Sequence, residues 1–124
     1  MVKKTVIAEQ NPLGHTTADY MQAVAPNALV EYCSTGQELV ERVKAGGYSL
    51  AFVGCCVDGT RDGPDIVRAI RAVDSSLPVY VLSIESGNDD ASTRERAEEA
   101  GATGYLRHLS NIQELEGIIK HHLG

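Results

Sequence analysis

Leu50-Ala51-Phe52-Val53-Gly54-Cys55-Cys56 carries no charge, and Val57-Asp58-Gly59-Thr60-Arg61-Asp62-Gly63-Pro64 follows it directly. A short, continuous apolar run closed by Gly and Asp is the pattern of a strand buried on both faces, because a strand with one wet face would alternate. Pro64 stands where a first helical turn tolerates a missing N–H. Ile66, Val67, Ile70 and Val73 then recur at helical spacing. The segment therefore reads as strand, loop and helix.

The same unit repeats outward in both directions. Thr5-Val6-Ile7-Ala8 is a β-branched apolar run ended by Glu9-Gln10-Asn11 and Pro12. Tyr20, Met21 and Val24 give a helical stripe over 16–24, stopped by Pro26 and Asn27, and 28–33 is a second strand candidate. Gln37, Leu39, Val40 and Val43 predict a helix that ends at Gly46-Gly47 in C-cap position. After the break at Ser75-Ser76-Leu77-Pro78, Val79-Tyr80-Val81-Leu82 predicts a fourth strand, stopped by Ser83 and Gly87. A charged helix over 88–100 ends at Gly101, and 103–106 makes a short fifth strand. Ser110 is placed to cap a last helix bearing Ile112, Leu115, Ile118, Ile119 and Leu123.

Strict alternation of apolar strands with helices predicts an α/β, doubly wound, three-layer fold with a parallel sheet covered on both faces. Right-handed crossovers put every strand C-terminus on one edge, where the site of an open α/β sheet forms. The residues placed there are Glu9-Gln10, Cys33-Ser34, Cys55-Cys56-Val57-Asp58, Ser83 and Arg107-His108.

The 124 residues fit a single domain spanning 1–124. Six aromatic side chains, five Tyr and one Phe, leave the core to aliphatic residues. A net charge of −6 argues against direct nucleic-acid binding, which needs clustered Lys and Arg to displace counterions from phosphates. Three cysteines, Cys33, Cys55 and Cys56, form neither an even framework nor a CxxC pair. The basic and then apolar start, Met1 to Ala8, is too short for a signal sequence, and no apolar run reaches membrane-span length. The expected setting is the cytoplasm, with reduced thiols and no membrane partner.

Four segments, in this order and spacing, resemble the response-regulator receiver (CheY-like) family over nearly the whole chain. They are Thr5-Val6-Ile7-Ala8-Glu9-Gln10-Asn11-Pro12, Asp62-Gly63-Pro64-Asp65-Ile66-Val67, Leu77-Pro78-Val79-Tyr80-Val81-Leu82-Ser83 and Ala100-Gly101-Ala102-Thr103-Gly104-Tyr105-Leu106. The resemblance implies a flavodoxin-like sheet of order 2-1-3-4-5 with five helices. It also implies a role in two-component or phosphorelay signalling, with a histidine kinase or a downstream signalling protein as partner.

A working receiver holds magnesium on two acidic groups after its first strand. It phosphorylates an aspartate after the third, and uses a hydroxyl after the fourth and a lysine after the fifth. By the same resemblance, the acidic pair here is Glu9-Gln10, the phosphoacceptor position is Cys55, and the lysine position is His108 followed by Leu109. Moving the acceptor register by one residue gives Gly54 or Cys56, so no register supplies a carboxylate. Ser83 matches the hydroxyl switch and Tyr105 the aromatic one. Magnesium, a hard cation, keeps only Glu9 as an anionic oxygen ligand, so no cofactor beyond a weakened magnesium site is expected.

The leading expectation is a pseudo-receiver: not an enzyme, not phosphorylated, and acting through protein contacts. Two alternatives stand beside it. One is a conventional receiver with a non-standard acceptor such as Asp58, although Asp58-Gly59 reads first as a turn. The other is a metal or redox sensor built on Cys55, Cys56 and His108 with Glu9, since thiolate and imidazole suit zinc and a nearby His lowers a thiol pKa. Asp62 and Asp65 are read as helix-start residues, and His15 as a loop or capping residue. His121 and His122 are read as a positive helix end. Asp89, Asp90, Arg94, Glu95, Arg96, Glu98 and Glu99 read as a solvated face with i,i+4 pairing, which together with Tyr105 forms a candidate recognition surface.

Overall fold

The computed structural model describes residues 2–10, 13–59, 61–84, 87–107 and 112–124. Five strands alternate with five helices among them. The strands are β1 (Lys4–Ala8), β2 (Leu29–Cys33), β3 (Leu50–Gly54), β4 (Val79–Ser83) and β5 (Gly104–Arg107). The helices are α1 (Leu13–Val24), α2 (Gly36–Ala45), α3 (Gly63–Val73), α4 (Gly87–Ala100) and α5 (Ile112–Leu123).

All neighbouring strands pair in parallel, in the order β2-β1-β3-β4-β5. This is the doubly wound, flavodoxin-like arrangement expected from the sequence. Alternate strand residues feed two separate cores. Val6, Ala8, Ala51, Val53, Val79 and Val81 face α2, α3 and α4. Ile7, Leu50, Phe52, Leu82 and Leu106 face α1 and α5. Apart from Phe52, the largest fully buried side chains are aliphatic or Met, as the aromatic count requires.

Local chemistry sets the helix ends. The Thr35 hydroxyl accepts from the Glu38 N–H at 3.1 Å at the start of α2. Gly46, at φ +87°, closes α2 by donating its N–H to the Arg42 and Val43 carbonyls. The α4 helix reaches the sheet through small residues, Thr93, Ala97 and Ala100, all buried, which explains why its sequence shows so little apolar stripe.

Two boundaries differ from expectation by more than one residue. The α1 helix starts at Leu13 rather than residue 16, and the Gly14 N–H already donates to the Gln10 carbonyl at 2.9 Å. Strand β3 ends at Gly54, so Cys55 and Cys56 lie beyond it. His15 is accordingly helical, with its ring 4.2 Å from that of Tyr32, and is not a loop residue. The expected Ser110 cap lies outside the described residues.

Candidate functional site

Glu9, directly after β1, is buried, and its side chain crosses the end of β3. A methyl group on Gly54 would stand 2.7 Å from Glu9 Cγ. The absence of a side chain at Gly54 is what lets the carboxylate arm lie there. The Glu9 carbonyl accepts from the Tyr32 hydroxyl at 2.8 Å. Gln10, next along the chain, is exposed. The acidic pair of the resemblance is thus one buried carboxylate and one solvent-facing amide residue.

Cys55 links three elements through its backbone. Its N–H donates to the Leu82 carbonyl of β4 at 2.7 Å, and its carbonyl accepts from the Gly63 N–H of α3 at 3.0 Å. The side chain is 4% exposed and belongs to the aliphatic core. Burial pushes the thiol up to about 11, against the opposing pull of the Ile84 N–H and the Ser83 hydroxyl. Near neutral pH it is a protonated thiol, with little of the thiolate that nucleophilic or metal-binding chemistry requires. Cys56 is half-buried, and its sulfur accepts from the Arg61 N–H at 3.1 Å. Arg61 reaches that position with φ at +57°.

Ser83 closes β4 fully buried beside Cys55. Its hydroxyl lies 3.5 Å from Asp90 Oδ1 on α4, and the same oxygen accepts from the Tyr105 hydroxyl at 2.7 Å. Tyr105 pairs with Val81 across β4 and β5, its ring is 8% exposed, and the Arg94 guanidinium sits 4.8 Å from the ring centre. Cys55, Ser83, Asp90 and Tyr105 therefore form one continuous chain of contacts from the centre of the sheet to its edge.

The β3–α3 loop is folded by carboxylates. Asp62 accepts from the N–H groups of Val57 at 2.6 Å, Asp58 at 2.8 Å and Gly59 at 3.1 Å. It occupies the N-cap position of α3 but makes no side-chain cap bond there. Asp62 thus stands at the helix start, as expected, while its carboxylate organises the loop before the helix. Asp58 turns away from the strand edge, and its Oδ2 accepts from the Gly36 N–H at 2.9 Å, at the start of α2. Asp65 does lie in the first turn of α3, where it pairs with Arg68 and Arg96.

The α4 charges form a largely solvated face, as expected, with Asp89, Arg94, Glu95, Glu98 and Glu99 exposed, but the i,i+4 pairing is corrected. Arg61 pairs with Asp89, while Arg96 donates to the Arg61 carbonyl at 3.1 Å and pairs with Asp65 at 3.4 Å. These contacts tie α4 to the β3–α3 loop instead of running along the helix face. Asp90, the residue that joins Ser83 to Tyr105, gave no separate signal in the sequence. At the other end of the molecule, burial first, then His121 and Lys3, hold His122 below the usual imidazole range. His122 is therefore less charged than a helix-end reading requires.

His108 lies outside the described residues, so the structure does not address a Cys55–His108 pairing. Among the described residues, no three His, Cys, Asp or Glu side chains gather as a metal site. The donor set near Cys55 also fits magnesium poorly. Glu9 is the one carboxylate at the expected positions, next to a protonated thiol and an exposed amide residue.

The sequence matches the response regulator receiver domain profile over residues 6–120, and the chain belongs to that family. It is a receiver-domain signalling module of the two-component type. Comparison with curated proteins gives no significant match. The N-terminal domain of a response regulator/sensory box/GGDEF protein from Carboxydothermus hydrogenoformans is 25% identical, with a TM-score of 0.75 over 98% of this chain and 94% of that one. A response regulator from Chloroflexus aurantiacus is 18% identical, with a TM-score of 0.80 over 99% and 98%. The receiver domain of a Pseudomonas aeruginosa sensor histidine kinase, solved with magnesium in its active site cleft, is 22% identical, with a TM-score of 0.78 over 100% and 99%. The last two likenesses speak to the fold. No described helix is long and apolar enough to cross a membrane.

Proposed function

We propose that this receiver domain signals through protein–protein contacts without being phosphorylated. The observation that carries the reading is the buried, protonated thiol of Cys55, at the position that the sequence resemblance gives to the phosphoacceptor aspartate. A carboxylate can attack a phosphoryl donor and hold the product as an acyl phosphate, whereas a neutral thiol in an aliphatic core lacks both charge and access.

The other pocket positions support the same reading. By the sequence resemblance, Gln10 takes the place of one anionic magnesium ligand and His108 that of the lysine which would neutralise a phosphoryl group. The switch hydroxyls of Ser83 and Tyr105 are already engaged by Asp90, within the chain itself. The recognition surface then consists of α4 and β5 in a set conformation, read by a histidine kinase or a downstream protein.

Neither alternative gains an observation of its own. Asp58 is occupied at the N-terminus of α2, and the raised thiol of Cys55 disfavours a redox or metal role for that sulfur. Incubation with acetyl phosphate and magnesium, followed by intact mass measurement, tests the proposal. No phosphoryl adduct is expected, and a stoichiometric adduct abolished by Asp58→Ala would overturn it.

A further inference from the structure

A groove of about 450 Å³ runs between α2 and α3, away from the Ser83–Asp90–Tyr105 chain. Its apolar base is Val40, Ile66 and Ala69. Ile66 is pressed against α2 so closely that a methyl group on Gly36 would stand 2.6 Å from its Cδ1. The volume falls within the ordinary range of binding clefts, roughly 300 to 1,000 Å³.

The rim is of one sign. Glu41, Asp58, Asp62 and Asp65 border the groove, and among the described residues no Lys or Arg lines it. The Asp58 and Asp62 carboxylates are held by backbone N–H groups, which fix their position without cancelling their charge. Glu41 accepts from the Gln37 side-chain amide at 3.3 Å, also neutral. Of the four, Asp65 has cationic partners, Arg68 and Arg96. An apolar trough bordered by fixed negative charge complements an amphipathic segment with aliphatic side chains on one face and lysines or arginines beside them.

We infer that the α2–α3 groove docks a cationic amphipathic helix of a partner protein. The aliphatic face lies on Val40, Ile66 and Ala69, and its flanking cations meet Glu41, Asp58 and Asp62. The occupant is a helix because the trough lies between two neighbouring helices, the geometry that takes one helix into a groove. Asp58 and Asp62 belong to the loop that leaves Cys55, so this surface borders the site without depending on its chemistry.

The test uses a synthetic helical peptide with leucines on one face and lysines flanking them, and its glutamate-for-lysine counterpart. Binding is followed by titration with amide chemical-shift mapping on the intact chain. The lysine peptide should bind saturably, shift residues of α2 and α3, and bind at least tenfold more tightly than the glutamate peptide. Ala69→Arg, at an exposed helical position, should weaken it at least tenfold, while Ala69→Ser should bind like the unaltered chain. Absence of saturable binding, equal affinity for both peptides, shifts centred elsewhere, or indifference to Ala69→Arg in a folded variant would each overturn the inference.

Discussion

The Tyr105 hydroxyl donates to the Asp90 carboxylate at 2.7 Å, fastening the edge strand β5 to α4. Ser83 approaches the same oxygen from the sheet side, and Arg94, one turn beyond Asp90, covers the Tyr105 ring. The two hydroxyls at the proposed switch positions thus converge on a carboxylate of the chain itself. Tyr105, anchored in this way, is buried.

Asp90→Ala should therefore release Tyr105. A hydrogen bond to a charged, partly exposed carboxylate contributes about 1 kcal/mol, so Tyr105→Phe and Asp90→Ala should each lower stability by about that amount. The double variant should lose little more than either single one. Urea unfolding of the four species measures the coupling. Strictly additive losses would mean that the bond contributes nothing.

The loop after β3 depends on one side chain. Asp62→Ala removes the acceptor for three backbone N–H groups at once, a change expected to cost about 1–3 kcal/mol. Amide exchange at Val57, Asp58 and Gly59 should accelerate markedly, with little change in the central strands. Asp62→Asn, which keeps one acceptor oxygen, should fall between the two.

The thiols should differ in reactivity. Cys33 and Cys55 are buried, whereas Cys56 is half-exposed. A disulfide reagent should titrate Cys56 in the native protein and the other two only after unfolding, and Cys56→Ser should abolish the native reaction.

Stability should form a plateau in pH with both limbs assigned. Glu31 lies below its ordinary 4.5, chiefly through the Tyr48 hydroxyl and also through Arg42 and Lys4. A lowered carboxyl pKa contributes stability above 4.5 that is lost as pH falls below it. On the alkaline side, burial raises Cys55 from 9.0 to about 11, Cys33 from 9.0 to about 12 and Tyr48 from 10.0 to about 12. Raised groups contribute stability that is complete below their ordinary values and lost as pH climbs through the folded ones. Urea midpoints across pH should decline below 4.5 and above 9. Glu31→Gln should lessen the acid decline and Cys55→Ala the alkaline one, with Asp74 on the acid side and Cys33 and Tyr48 on the alkaline side keeping the rest.

The sheet was legible in the sequence because its signals are local. The uncharged run from Leu50 and the breaks at Gly46-Gly47 and Pro78 each mark an element within a few residues. The strand-end placement of the candidate residues was equally legible: Glu9 and Cys55 lie directly after β1 and β3, and Ser83 is the last residue of β4. Pairings between distant residues were not. Arg61 meets Asp89, Arg96 meets Asp65, and Asp90 meets Tyr105 only once α4 packs beside α3 and β5. A charge pattern that fits i,i+4 spacing carries no mark of partners on other elements. The loop contacts of Asp62 were hidden for a related reason. An Asp before a helix has the same sequence signature whether its carboxylate caps forward or organises the loop behind it.

The most direct measurement is a beryllofluoride titration in the presence of magnesium, followed by amide chemical shifts of the unaltered chain. Beryllofluoride mimics a phosphoryl group on an aspartyl acceptor, so if Cys55 holds that position, as proposed, the resonances of Cys55, Ser83, Ile84 and Tyr105 should not move. Saturable shifts at those residues would contradict the absence of a phosphoacceptor.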